Sequence, residues 1–209
     1  MTNVKPEPEP KRKTLRDEHA RLTRERIAAA ARRLFARGGY AATTLAEIAA
    51  EAGVAVQTVY AVYGSKAGIL GALRESVVAQ PEARAFYREA MAALSAARRI
   101  ELFARSIRWR WERSADVTAI FRDAGTADAR IRAGLAATLE QRRAGIRALA
   151  ERLEGELRPG IDVAVAAAVL DALSLAEVYA ELVEVQGWTP DAYEVWLAAA
   201  LARELLCSS

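Results

Sequence analysis

The chain has 209 residues, of which 53% are hydrophobic and 27% charged, with a formal net charge of +3. Such a chain can hold one large domain, or a small domain joined to a larger one, and can build a substantial core. Its single cysteine, Cys207, excludes an internal disulfide and fits a reducing compartment. Because the sequence has neither a long uncharged apolar run nor a signal peptide's apolar segment at its start, we expect a cytoplasmic protein with no membrane partner.

The positive charge is concentrated near the amino terminus. Residues 1–66 carry 12 Lys and Arg against 7 Asp and Glu, a net +5, whereas residues 67–209 carry 18 against 20, a net −2. A basic excess of this kind is typical of a part that binds nucleic acid. Residues 1–20 are predicted to be a flexible basic arm that lies along phosphates or enters a minor groove, with a solvated tail as the alternative. The cations assigned to this arm are Lys11, Arg12, Lys13 and Arg16.

A first helix is predicted to begin at a Thr23 cap and to end at the glycine pair Gly38 and Gly39. Its apolar residues recur at three- and four-residue intervals, so they form one stripe. The stripe consists of Ile27, Ala30, Ala31, Leu34 and Phe35. We expect this stripe to close the core of a three-helix unit.

The pattern of residues 43–66 is typical of a helix-turn-helix, in which two short helices meet across a tight turn. Thr44 and Glu47 form a capping box, because the hydroxyl accepts from the first turn and the carboxylate accepts from the cap amide. Gly53 suits the positive φ that the turn requires. The second helix is predicted over residues 56–63.

The outward side of the second helix carries uncharged donors, which suit phosphate oxygens and base edges. These residues are Gln57, Thr58, Tyr60 and Tyr63. Ser65 is predicted to cap the next helix, which leaves Lys66 in a first turn, an unfavourable place for a cation. A contact with a DNA phosphate would explain the position of Lys66. Helix pairs with a glycine turn also occur in other all-α proteins, so the spacing alone leaves DNA binding open.

The segment from Thr23 to Leu70 resembles the amino-terminal domain of the tetracycline-repressor-like (TetR) transcriptional regulators. The resemblance is carried by the first helix, the Gly39-Tyr40-Ala41-Ala42-Thr43-Thr44 link, the helix-turn-helix, and the Tyr63-Gly64-Ser65-Lys66 exit. Ala55, Gln57 and Val62 depart from the serine, glycine and histidine often found in the family. These departures affect the expected phosphate contacts and leave the fold unaffected.

The resemblance implies an all-α protein with two domains. Residues 21–66 would form a three-helix helix-turn-helix DNA-binding domain, and residues 67–209 a larger helical domain for ligand binding and dimerisation. It implies a homodimer that binds a palindromic operator in double-stranded DNA and responds to a small-molecule effector, most often as a repressor. No cofactor and no metal ion is expected. The DNA contacts carried over are Thr44, Gln57, Thr58, Tyr60, Tyr63 and Lys66.

The chain beyond residue 66 has helical period throughout. The predicted breaks are at Pro81, near Asp116, at Arg158-Pro159-Gly160 and from Gly187 to Pro190. Without a flexible Gly/Ser linker, a helix over residues 65–79 would join the two domains and transmit movement to the DNA-binding part.

A helix predicted over residues 96–113 carries apolar side chains on two faces, so one face can pack while the other lines a cavity. The candidate pocket residues are Phe103, Trp109, Phe121, Glu177 and Tyr179. Plain core packing is the alternative for the aromatic residues, and an exposed edge is the alternative for the acid. A long helix with a solvated polar face is predicted over residues 127–156.

The most apolar segment, residues 161–186, is predicted to be one helix covered from several directions. Thr189, Pro190 and Asp191 then begin the last helix with a cap, a proline at the first position and an acid in the first turn. By the resemblance, these two helices pair with their twins as a four-helix bundle, with intramolecular packing as the alternative. The interface residues assigned are Trp196, Leu197 and Leu201.

Two other classes of function compete with a regulator. An enzyme is disfavoured because the only histidine, His19, lies in the predicted arm and Cys207 lies near the end, which leaves no nucleophilic pair and no metal cluster. No phosphate-binding glycine motif is present either. A carboxylate-based enzyme, and an adaptor that keeps the fold without binding DNA, remain the alternatives.

Overall fold

In the computed structural model, which describes residues 15–78 and 81–207, the described chain is all-helical, as predicted. Its helices are α1 (Leu15–Gly38), α2 (Leu45–Ala52), α3 (Val56–Tyr63), α4 (Lys66–Val78), α5 (Pro81–Ala92), α6 (Ala96–Ala127), α7 (Ala129–Glu151), α8 (Val163–Leu173), α9 (Ala176–Tyr179) and α10 (Pro190–Leu205). A 3-10 turn at Glu154–Glu156 follows α7, and a π-helix at Ala180–Val185 continues α9.

The first four helices enclose one apolar core together with part of α6. The predicted stripe of the first helix faces this core, although Leu34 is only partly buried. The contribution of α6 is three residues that lie beyond the break predicted near Asp116. Representative members of this amino-terminal core are Ile27, Phe35, Ile48, Val59, Ile69, Leu70, Val117, Ile120 and Ala124.

The first helix begins eight residues earlier than the sequence predicted. It starts at Leu15, with Asp17 and Glu18 in its first turn, where acidic side chains favour the positive end of the helix dipole. Thr23 therefore lies inside α1 and caps nothing. Residues 15–20, which were assigned to a flexible arm, are helical, and the rest of that arm lies outside the described residues.

The sixth helix corrects the break predicted near Asp116. α6 runs without interruption for 32 residues, and Asp116 lies within it. The carboxylate of Asp116 accepts two hydrogen bonds from the Arg32 guanidinium, each 2.6 Å long, instead of competing for its own backbone. A residue that disfavours a helix in isolation is thus held in one by a tertiary ion pair.

The apolar segment over residues 161–186 is two helices rather than one. α8 ends at Leu173, and the chain bends by 45° before α9 and the π-helix continue. The carbonyl of Ser174 accepts hydrogen bonds from Trp111 Nε1 and Arg142 Nη2, both 2.9 Å long. Because that carbonyl is bound from outside the helix, the backbone can leave the helical ladder there without an unsatisfied acceptor.

The last helix lies in the centre of the carboxy-terminal core. Its start is confirmed, because the Thr189 side chain accepts from the Ala192 amide and Pro190 occupies the first turn. Leu197 and Leu201 are 0% exposed, since α10 packs against α6 and α8 of the same chain. The assignment of these two leucines to a dimer interface is therefore wrong, because they are covered within one protomer.

No single helix among the described residues is long and apolar enough to cross a membrane. Two bent helix pairs reach that length and composition only when joined, α2 with α3 and α8 with α9 and the π-helix.

The capping box gives a prediction with a defined pH dependence. Hydrogen bonds from Thr44 lower the pKa of Glu47 below its ordinary value of 4.5. Because the folded pKa is the lower one, the ionised carboxylate stabilises the fold above the unfolded pKa, and this is lost as pH falls through the folded pKa. We expect Glu47→Gln to lower the free energy of unfolding at pH 7, and urea unfolding should show the difference from wild type vanish in acid.

The hydroxyl half of the cap provides the control. Thr44→Ala should lower the free energy of unfolding by about 1 kcal/mol, the usual cost of removing such a cap. Thr44→Ser keeps the hydroxyl and should retain most of that stability. A difference between Glu47→Gln and wild type that stays constant from neutral to acid pH would contradict the ionic cap.

Candidate DNA interface and effector cavity

The turn between α2 and α3 is fixed by one glycine and one arginine. The chain bends by 105° there, and Gly53 has φ 64°, which favours glycine. A Cβ on Gly53 would lie 2.8 Å from Nη2 of Arg26. That same Nη2 donates to the Ala52 carbonyl over 2.6 Å, so the guanidinium satisfies the end of α2 and would have to move if residue 53 carried a side chain.

The outward face of α3 carries polar groups that the fold does not use. Val59 is buried on the inner face, whereas Gln57 is exposed and Tyr60 is 55% exposed. Among the described residues neither the Gln57 nor the Tyr60 side chain has a hydrogen-bond partner. Ala55, the residue that precedes α3, provides no side-chain cap for the first amides of the helix. The face thus offers free donors at its start and along its exposed side, with Thr58 partly buried between them.

The hydroxyls of two expected DNA-binding residues already donate hydrogen bonds within the chain. Thr44 Oγ1 donates to Glu47 Oε2 over 2.9 Å as part of the cap. The Tyr63 hydroxyl donates to the Arg24 carbonyl over 2.9 Å, and burial raises the pKa of Tyr63. Since each hydroxyl has a single hydrogen, neither can donate to a phosphate without giving up its present bond. In this structure both hydroxyls form bonds that hold the helix-turn-helix together.

Lys66 has partners different from the expected phosphate. Its ammonium donates to the carbonyls of Tyr40, Ala41 and Thr43 over 2.6, 3.0 and 2.8 Å. It also lies 4.6 Å from the centre of the Tyr40 ring. An ammonium has three hydrogens, and all three are donated here. Lys66 therefore ties the start of α4 to the link before α2, which explains a cation in a first helical turn.

A cation that the sequence analysis overlooked lies at the edge of the same surface. The exposed Arg24 guanidinium stands 5.9 Å from the centre of the Tyr63 ring, at the end of α3. A stacked guanidinium loses little freedom when it meets a phosphate. The sequence feature that could have pointed to Arg24 is its position on the first helix, one helical turn before Ile27.

A cavity of about 320 Å³ lies in the carboxy-terminal part of the chain, between α4, α5, α6 and α7. Of the five residues predicted for a pocket, Phe103 and Phe121 line it. Trp111, which was not among the five, lines it as well. Apolar walls with a few polar groups are the usual composition of a small-molecule site.

The other three predicted pocket residues lie elsewhere. Trp109 points away from the cavity, because it is two positions from both Ile107 and Trp111 on the helix, and its ring lies 6.0 Å from that of Phe86. Glu177 is exposed and pairs with Arg122 over 2.6 Å. Tyr179 is buried in the core behind α6. Glu177 therefore lies at an exposed edge, which was the alternative to a place in the pocket.

α6 belongs to both halves of the molecule. Residues of its middle line the cavity, and one or two turns later the Asp123 carboxylate accepts from the Tyr40 amide over 2.8 Å. Val117 lines the cavity and is also a member of the amino-terminal core. α4 is shared in the same way, since Val77 lines the cavity and Leu73 lies in that core. Two helices, rather than α4 alone, connect the cavity to the helix-turn-helix.

The helix-turn-helix matches a known family of sequences. Residues 27–73 match the family model described as bacterial regulatory proteins, tetR family. This range spans the second half of α1, the whole helix-turn-helix and the first two turns of α4. No curated protein sequence matches the chain at a significant level.

Three solved structures show the likeness of fold. KstR2, the ketosteroid transcriptional regulator of Mycobacterium tuberculosis, has a TM-score of 0.68 at 20% identity, over 88% of this chain and 95% of that one. NalD, the secondary repressor of the MexAB-OprM multidrug efflux pump in Pseudomonas aeruginosa, has 0.65 at 22%, over 92% and 100%. The transcriptional regulator FadR from Bacillus subtilis, in complex with stearoyl-CoA, has 0.66 at 17%, over 86% and 98%. The chain therefore carries the amino-terminal domain of the tetR family of bacterial regulatory proteins, on the two-part helical fold that these regulators share.

Proposed function

We propose that the protein is a transcriptional repressor that binds a palindromic operator as a homodimer and releases it when a small molecule occupies the cavity. In this proposal residues 21–66 bind DNA, and residues 67–209 bind the effector and form the dimer. The observation that supports this proposal most directly is that α6 both lines the cavity and packs against the helix-turn-helix. NalD, described as a repressor, and FadR, described with a bound acyl-CoA, support this class of function.

The DNA contacts are assigned to the groups that the fold leaves free. Gln57 is the candidate base-reading residue, because its amide can donate and accept on one base edge. Thr58, Tyr60 and the first amides of α3 are suited to phosphates, with Arg24 at the edge of the surface. Thr44, Tyr63 and Lys66 hold the geometry of this surface from behind.

The base-reading assignment predicts a loss of discrimination. Gln57→Ala should reduce the preference at one base pair of the half-site by about 1–3 kcal/mol, the range for a good bidentate contact. Tyr60→Phe should weaken binding to all sequences alike. Both are measured by selecting bound genomic fragments and then titrating the recovered site by fluorescence anisotropy.

Gln186→Ala, a glutamine far along the chain, is the matched control and should bind the site as wild type does. If the Gln57→Ala protein keeps the base preference of the wild type, Gln57 is not a base-reading residue. Failure of the wild-type protein to bind any fragment would instead favour the adaptor that keeps this fold without DNA binding.

The structural assignment of Lys66 makes a second prediction. Lys66→Met should lower the melting temperature, because three carbonyls lose their donor, and should leave the salt dependence of residual DNA binding unchanged. A direct phosphate contact would predict the opposite, a normal melting temperature with the log–log salt slope reduced by about one. Calorimetry and anisotropy at several salt concentrations separate these two roles.

The proposed dimer uses the outer faces of α8 and α10. Val195 is 70% exposed and Val165 is 41% exposed, and the exposed positions around them are mostly alanines. Small side chains let helices approach closely, so two such helices from each protomer can form a four-helix bundle. The half-buried Trp196 borders this face through its contact with Trp188. The exposed alanines are Ala164, Ala168, Ala172, Ala192 and Ala199.

A charge on this face should prevent association. Val195→Glu or Ala168→Glu is expected to give a folded monomer that has lost operator binding, because the dimer would bury the carboxylate without a partner. Light scattering and circular dichroism report association and folding separately. Ala136→Glu, an exposed alanine on α7, should remain dimeric.

Leu201→Glu is the contrasting variant. It places the carboxylate inside one protomer, so it should unfold or precipitate the protein rather than release a monomer. Wild-type protein that scatters as a monomer at micromolar concentration would exclude the dimer.

The coupling between effector and operator follows from the two shared helices. A ligand that separates the walls of the cavity moves α4 and α6, and with them the contacts of Asp116 and Asp123 to the DNA-binding part. A ligand shifts such an equilibrium only by its differential affinity for the two states. Coupling of about 1–3 kcal/mol changes operator affinity roughly 5–150-fold, and operator DNA weakens ligand binding by the same factor.

A further inference from the structure

The charged groups that line the cavity are all of one sign. Of the 20 described residues around it, four are arginines and none is an aspartate or glutamate. The four are Arg74, Arg84, Arg110 and Arg142. A cavity for a neutral or cationic molecule has no need of such a set, so each arginine has to be accounted for.

Arg142 is accounted for by the fold. Its guanidinium pairs with Asp171 and donates to the carbonyl and hydroxyl of Ser174 over 2.9 and 2.8 Å. Burial, together with the neighbouring Arg110, lowers the pKa of Arg142 to about 10. Its charge is thus compensated by Asp171, and its role is to hold the bend after α8.

Arg110 has no such compensation. Among the described residues no carboxylate and no other acceptor lies within hydrogen-bond distance of its guanidinium. Burial and the positive charge of Arg84 lower the pKa of Arg110, which reports a desolvated cation close to another cation. Four of the other six arginines of the same helix have carboxylate partners, whereas Arg99 donates to backbone carbonyls and Arg105 lies over the Phe86 ring. The pairs are Arg98 with Glu101, Arg108 with Asp191 and Glu112, Arg113 with Glu112, and Arg122 with Glu177.

Arg74 and Arg84 stand at the opening of the cavity. Both are exposed, both also line an adjoining surface depression of about 610 Å³, and neither has a carboxylate partner among the described residues. The depression adds one acid, Glu75, at its rim. The guanidinium groups of three helices, α4, α5 and α6, therefore converge on the boundary between an enclosed space and an open one.

The enclosed space itself is apolar. Its walls are mainly aromatic and branched aliphatic side chains, and its volume of about 320 Å³ is at the lower end of the range for small-molecule sites. Main members of these walls are Phe103, Ile107, Trp111, Phe121, Leu135 and Leu139. A ligand with an apolar body satisfies these walls, and an anionic group on it would meet the guanidinium groups at the opening.

We infer that the ligand of this cavity is an amphipathic organic anion, with its apolar body against the aromatic walls and its carboxylate or phosphate group held by Arg110, Arg84 and Arg74. Arginine matches both groups because its fork of donors binds two oxygens at once. A larger headgroup can extend into the adjoining depression. The inference rests on the proposed function only in calling this ligand an effector, since binding to the cavity requires no DNA.

Matched probes test the charge requirement. Isothermal titration of the purified full chain with decanoate, decyl phosphate, decanol and decylammonium keeps the apolar body constant, and 2-naphthoate with 2-naphthol repeats the comparison for a planar body. We expect at least one anion to bind tenfold or more tightly than its neutral partner, and decylammonium not to bind. The carboxylate and phosphate arms show which anionic group the arginines accept. Equal affinity for anion and alcohol, or no binding by any anion, would overturn the inference.

Arginine variants locate the contact. Arg110→Gln and Arg84→Gln should each weaken binding of the preferred anion about tenfold or more while leaving the affinity for the alcohol unchanged. Arg84 is exposed, so its variant should fold even if that of Arg110 does not. Arg88→Gln, on the exposed side of the same helix α5, is the matched control. Unaltered anion affinity in a folded Arg84→Gln and Arg110→Gln protein would contradict the assignment.

Adding operator DNA separates this inference from the proposed function. If an anion binds the cavity yet leaves operator binding unchanged, the proposed regulation by a ligand is refuted, but the inference that the cavity binds an amphipathic anion stands. If the protein binds an operator but no anion binds the cavity, DNA binding stands and the inferred ligand class is refuted.

Discussion

The continuity of α6 is the constraint on which the rest of the structure depends. Its 32 residues pass from the wall of the cavity to the underside of the DNA-binding part without a break. The bidentate pair between Arg32 and Asp116 holds the helix at that junction, and the Tyr40 amide binds Asp123 two turns later. Because Val117 belongs to both the cavity and the amino-terminal core, no flexible layer separates the two. The helix that lines the cavity is therefore also the helix that supports the helix-turn-helix.

The local features of the fold could be predicted from sequence because their causes are local. The capping box at Thr44, the left-handed Gly53 and the start of α10 at Pro190 each depend on residues within one turn of themselves. The bend at Ser174 could not, because its cause is a pair of donors, Trp111 and Arg142, that lie far away in sequence.

The same distinction applies to the surroundings of the candidate site residues. The pattern of α10 predicts an apolar helix, but whether Leu201 faces a second copy or its own core depends on how α6 and α8 pack around it. Lys66 is the clearest case, because its three carbonyl acceptors come from a link more than twenty residues earlier. Some cations of the amino-terminal part therefore donate to backbone carbonyls of the same chain, and Arg26 is a second example.

The indole of Trp111 joins the cavity to the bend between α8 and α9. Its ring is a wall of the cavity, and its N–H binds the Ser174 carbonyl at the bend between α8 and α9. A substitution that reshapes the cavity at this position also removes one of the two donors to that carbonyl and leaves only Arg142. The side chains of Phe121, Leu135 and Leu139 line the cavity and make no hydrogen bond, so a change in the shape of the cavity should destabilise the fold less at these positions than at Trp111.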